Sequence, residues 1–154
     1  MWLIIILGFI IPWMFGIYLY KKAPVIFYTT APMTALIAVV CNQLGIHLKL
    51  WKVHHMPKVV LLDSIFLDLG IFAIVGAWFT YLLHYKQVKP FRLLTIFIVG
   101  MTSLEYFMVV TERVSYHSSW SIFYTFLMYV GGFATLYFIT KKLIKHKIFP
   151  MASK

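Results

Sequence analysis

Two carboxylates in otherwise apolar surroundings, Asp68 and Glu105, are the residues of this chain best suited to chemistry. An acidic side chain within a membrane-spanning run costs at least about 2.5 kcal/mol on insertion scales, so its presence there points to a use. A pair of such groups can work as acid and base, because two carboxyls in one pocket can be driven to different protonation states. It can equally carry a proton or hold a ligand by hydrogen bonds. Beyond Glu105 lies a polar cluster of Glu112, Arg113, Tyr116 and His117. Read as one helix, Thr102, Glu105, Val109, Glu112 and Tyr116 alternate three- and four-residue steps and share a face. That face is expected to point into a bundle, with Glu105 protonated at neutral pH and donating a hydrogen bond to Asp68, Tyr129 or Thr125.

The elements that position these residues follow from composition. Of 154 residues, 62% are hydrophobic and 12% charged, against roughly 45–50% and 25% in ordinary soluble domains. This is the composition of an integral membrane protein. The net charge of +10 comes from lysines placed just outside apolar runs, where cytoplasmic loops and anionic headgroups account for them, so nucleic acid is not an expected partner. The one cysteine, Cys41, excludes a disulfide framework or a multi-cysteine metal site within one chain. His54 and His55 are adjacent, so on a helix they point about 100° apart, a poor start for a metal site. No nucleotide loop or nucleophile motif occurs, and neither a metal nor a cofactor is expected.

Five runs of about 20 residues, the length that crosses about 30 Å of hydrocarbon, predict helices over about 2–20, 25–46, 59–83, 93–114 and 120–140. The expected fold is therefore all-α, a five-transmembrane-helix bundle forming one domain over 1–154. The first run lacks a basic leading region and a small-residue cleavage site, so it reads as a retained helix. Its Gly8, Pro12 and Gly16 share a face that lets a neighbouring helix approach closely. Pro32 predicts a bend in the second helix, with Thr29 and Thr30 able to satisfy carbonyls freed there. The segment HLKLWKVHHMPK between the second and third runs mixes cations with apolar residues, as an amphipathic segment at the interface does.

Lysine and arginine counts set the orientation. With the N-terminus outside and the C-terminus cytoplasmic, ten cations fall inside and four, Lys49, Lys52, Lys58 and Arg113, outside. At 1.5 Å per residue, Asp68 and Glu105 then lie level, roughly 13–15 Å from the outer ends of their helices, with Tyr129 close to that depth. Asn42, Gln43, Asp63, Glu112, Arg113 and Tyr124 fall within roughly 8 Å of the outer surface. Together with Thr125 these residues define an expected acidic pocket in the outer half. The inner half is nearly featureless.

Several stretches carry a family likeness: Ile10-Ile11-Pro12-Trp13 with Gly16 and Tyr18–Lys22, Ala31-Pro32, Asn42 with Leu44-Gly45, and above all Leu104-Glu105, Arg113, Tyr116 and Trp120 through Phe126. In these the chain resembles a family of small membrane proteins from Bacillus- and Clostridium-type bacteria. The resemblance implies five helices in the cytoplasmic membrane and carries over no catalytic residue. Size and aromatic content also resemble the tryptophan-rich sensory proteins, in architecture only, since their Trp-Tyr and Pro-Pro motifs are absent. The residues themselves favour non-catalytic binding of a lipid-like ligand or a partner helix, with homo-oligomers allowed. The alternatives are proton- or ion-coupled transport, which lacks an inner polar path, and an intramembrane enzyme using Glu105 and Asp68 as acid and base.

Overall fold

The computed structural model describes residues 2–54, 62, 64–117 and 119–150. They form five helices, four of which are long and apolar enough to cross a membrane. Helix α1 is continuous through the pieces Trp2–Ile5, Ile6–Ile10 and Ile11–Lys22, the middle one wound as a π-helix. Only Ala23 separates it from α2, Pro24–His47. Proline is well placed there, because the first turn of a helix has no use for its missing N–H. Helix α3 spans Ile65–His84 and contains a second π segment, Asp68–Phe72. Helix α4 is Pro90–Val110 and α5 is Ile122–Lys145.

The first three helices form one tightly packed unit. The two π segments face each other so closely that a Cβ on Gly70 would stand 1.9 Å from the Gly8 carbonyl oxygen. Alanines 31 and 35 of α2 and 73 and 77 of α3 are buried together, and small side chains of this kind let helix backbones approach where lipid gives no hydrophobic drive. Helices α4 and α5 pack on each other as a second unit. They meet the first chiefly through α3, at a triangle of Phe79, Phe97 and Phe133 with ring centroids 5.5 to 5.7 Å apart. Helices α2 and α5 make little contact. The outside of the bundle is apolar, with Trp2, Met14, Tyr28, Leu36, Phe91 and Phe138 all exposed.

A two-stranded sheet modifies the all-α expectation. Strand β1, Trp51–Val53, pairs antiparallel with β2, Val114–Tyr116, placing Trp51 opposite Tyr116 and Val53 opposite Val114. Hydrogen bonds from His54 N to the Arg113 carbonyl and from His117 N to the Leu50 carbonyl extend the ladder. The amphipathic segment after α2 is thus partly strand, and α4 stops at Val110 instead of running to 114. Its stop is a Schellman turn: Glu112 N bonds the Val109 carbonyl, Arg113 N bonds the Met108 carbonyl, and Glu112 takes a φ of 57°. Helix α2 ends in the same way on Lys49. The two turns aim the chain across one end of the bundle, the lid end, where Trp51 seats against Gly45, whose absent side chain leaves room for the indole.

Two further expectations change. The hydroxyls of Thr29 and Thr30 bond the Val25 and Ile26 carbonyls, in the turn before the one that Pro32 opens. The half away from the lid holds a buried polar link, Thr80 to Thr140 at 3.0 Å, and the chain after α5 folds back to bury Phe149 there.

The Gly8–Gly70 crossing is open to test. A methyl group at Gly70 must push α1 away, an overpacking cost of about 1–3 kcal/mol. Gly70→Ala is expected to lower the melting temperature in detergent, while Gly100→Ala, whose Cβ meets nothing within 4 Å, leaves it level or higher. Equal melting of the two variants would contradict the crossing.

Candidate functional site: a carboxyl acceptor at the head of an apolar groove

Glu105 lies on α4, half-buried, five residues before the helix ends at Val110. Tyr116 and Tyr129 donate to its two oxygens at 2.7 Å, and Thr125 Oγ1 lies 3.1 Å from Oε1. Trp120 Nε1 donates in turn to Thr125 at 2.9 Å, and Tyr116 and Thr125 are 2.9 Å apart. Tyr129 and Thr125 sit one turn apart on the buried face of α5, so a single helix presents both hydroxyls. Tyr116 arrives from β2. The carboxyl is therefore the acceptor, rather than the expected donor, in a cage of neutral hydroxyls drawn from α5 and the strand and backed by the segment before α5. Burial and then the neighbouring Glu105 push the Tyr116 hydroxyl well above the ordinary tyrosine value of 10.0, so at neutral pH it keeps the proton it donates.

Asp68 belongs to a separate cluster. It is fully buried at the start of the π segment of α3, where Asn42 Nδ2 donates to one oxygen and Ser64 Oγ to the other. Gln43 Nε2 lies 3.5 Å from Ser64 Oγ. The expected bond between Glu105 and Asp68 is thus replaced by two independent cages, each built from its own helix unit. The reason is local: Ser64 stands one turn before Asp68, and Asn42 faces it across the tight α2–α3 contact.

A hollow lies between the two cages. It measures about 60 Å³, with Asn42 on one side and Glu105 and Tyr129 on the other, and otherwise apolar walls that include Gly8, Phe72, Met101 and Met108. Trp51, Val53 and Val114 of the strands close its lid end. A second hollow, of about 70 Å³, continues from it down the seam between α2 and α5 over α3, sharing Asn42, Phe72, Met128 and Tyr129. The two make one half-open, mostly apolar groove with its carboxyl and amide at the lid end and Thr34 and Cys41 further along. Each exceeds the ~10–15 Å³ that one water needs. Both are far below the ~300–1,000 Å³ of a compact-ligand pocket.

The expected pocket residues divide accordingly. Glu105, Thr125, Tyr129, Asn42, Asp68 and Gln43 lie in or directly behind the groove walls. Glu112 and Tyr124 do not: the first is exposed on the turn after α4, and the second is 49% exposed with its ring tilted against Trp120. Arg113 is also on the turn, with its Nε buried and lacking a hydrogen-bond partner. Asp63 and His55 lie outside the described residues. The site is shallower than the spacing suggested. Glu105 is about 7.5 Å from its helix end and Asp68 about 4.5 Å at 1.5 Å per residue, because α4 ends at Val110 and the described part of α3 begins at Ile65. Ser64, Trp51, Tyr116 and Trp120 complete the site. Of these, Tyr116 and Trp120 were visible in the sequence beside Glu105, whereas Ser64 and Trp51 gave no chemical signal.

No family model, curated protein or solved structure matches the chain.

The Tyr116 hydroxyl gives the site a pH signature. The folded state holds this proton more tightly than the unfolded chain does, so its contribution is intact below pH 10.0 and is lost as pH rises above that value. Melting temperatures measured from pH 8 to 11 are expected to fall less steeply at the alkaline end in Tyr116→Phe than in the wild type. Parallel curves would contradict the assignment.

Proposed function

We propose that this chain is a bacterial cytoplasmic-membrane protein whose five helices cross with the N-terminus outside, and that it binds a slim lipid-like ligand in the groove. The bias of ten cations against four supports the orientation, and the likeness around Glu105 to Trp120 supports the bacterial setting. Binding rather than catalysis is favoured because the two carboxyls are occupied by separate sets of donors, leaving no acid/base pair facing a common point.

The observation that carries the reading is the shape of the groove. It is apolar along most of its length and half-open along the α2–α5 seam, with Asn42, Glu105 and Tyr129 near the lid and only Thr34 and Cys41 adding polar atoms further along. An amphiphile matches that pattern, with its chain along the seam and its polar end at the carboxyl. A partner helix is about 10 Å across and does not fit so narrow a hollow; an alkyl chain does. The small residues at the α2–α3 contact fix the floor, and the weak α2–α5 contact leaves the side entry.

Met128 lines both hollows, whereas Leu127 beside it is 46% exposed on the outer surface. Protein purified in mild detergent and extracted with organic solvent is expected to yield a defined single-chain amphiphile by mass spectrometry. Met128→Trp should fill the groove and lose it, and Leu127→Trp should retain it. The same extract from Met128→Trp as from the wild type would sink the proposal.

A further inference from the structure

The geometry points to a cationic amphiphile as the ligand: an apolar chain ending in a protonated or quaternary amine, seated against Glu105. This rests on the groove reading above and narrows it to one charge class.

Every group that satisfies Glu105 is neutral. Tyr116, Thr125 and Tyr129 are hydroxyls, and Trp120 acts through Thr125. Among the described residues no lysine, arginine or histidine forms an ion pair with Glu105, and Arg113, the cation nearest in sequence, leaves its Nε without a partner instead of reaching it. Hydroxyl donors orient a carboxylate and lower the cost of burying it, but they do not cancel its charge. The carboxyl faces a hollow with apolar walls, where water screens charge little. A structural carboxyl serving only to join helices has no need to line a cavity; this one does.

The walls beside the carboxyl suit the same charge. Trp51, Phe72 and Tyr129 bring three aromatic side chains to the hollow, and aromatic faces attract ammonium groups, most strongly where water is excluded. Trp51 is held over the lid end by its seat on Gly45 and its contact with Trp120, at 4.8 Å between ring centroids. Asn42, across the hollow, donates through its amide nitrogen to Asp68. Carboxyl and aromatic rings together form a surface for a hydrogen-bond-donating cation. An anionic headgroup would meet repulsion there, and a neutral alcohol would gain a hydrogen bond without the charge term.

Isothermal titration of the full-length protein in neutral maltoside micelles with octylammonium, octanol and octanoate tests this. Octylammonium is expected to bind at least about tenfold more tightly than octanol, and octanoate more weakly than either. Glu105→Gln should erase the preference, bringing octylammonium to the affinity of octanol in the same variant. Should Glu105→Gln fail to fold, nuclear Overhauser contacts in the wild type decide, the methylene next to the ammonium being expected against the rings of Trp51 and Tyr129. Octanol and octylammonium binding alike in wild type and Glu105→Gln, or an ammonium methylene in contact with other rings, would overturn the cationic assignment and leave the groove standing. No binding of any of the three, with Met128→Trp indistinguishable from the wild type, would overturn both.

Discussion

A carboxyl group placed in an apolar helix must find donors, and the arrangement of the lid end follows from that constraint on Glu105. Left unsatisfied, such a group costs several kcal/mol or loses its charge. Here the donors come from three other segments. Tyr129 and Thr125 bring α5 against α4, Tyr116 brings β2 over the top, and Trp120 joins through Thr125. Tyr116 pairs with Trp51 across the ladder, so the same carboxyl helps to fix the strand that covers the groove. One acceptor thus organises a helix pair, a strand and a lid.

The other unit is organised by close backbone contact. Gly8 and Gly70 meet within paired π segments, and the π turn of α3 carries Asp68 into the α2–α3 contact, where Asn42 and Ser64 receive it. A π turn inserts one residue into the helical repeat and is frequent at functional sites. The two units satisfy their carboxyls independently and touch mainly through α3. That leaves a seam of slight contact between α2 and α5, and the groove occupies this seam.

Much of this was legible in the sequence. The long apolar runs gave the helices, the depth of Glu105 in its run marked it as the centre, and the spacing of Gly8, Pro12 and Gly16 marked the face of α1 that packs. The strands were not legible, for a physical reason. Thr102 to Tyr116 keeps helical spacing throughout, and the turn that breaks it places Glu112 in the left-handed region, which usually announces itself by glycine. Pairing of Trp51 with Tyr116 joins residues far apart in the chain, and no local period encodes such a contact. The depth of Glu105 was inferred from a helix end at 114, whereas the turn on Glu112 ends the helix at Val110. Their separation into two cages depended on Ser64, a residue with no distinguishing pattern.

The central claim is that Glu105 is the acceptor tying the lid to the bundle, and a double-mutant cycle tests it most directly. Unfolding free energies in reversible conditions would be measured for the wild type, Tyr116→Phe, Glu105→Met and the double variant. Hydrogen bonds to a charged group are worth about 1.5–3 kcal/mol, although averages between membrane helices are nearer 0.6 kcal/mol. The expected result is that Tyr116→Phe costs at least about 1 kcal/mol less with methionine at position 105 than with glutamate. Equal costs in both backgrounds, within about 0.5 kcal/mol, would contradict the claim.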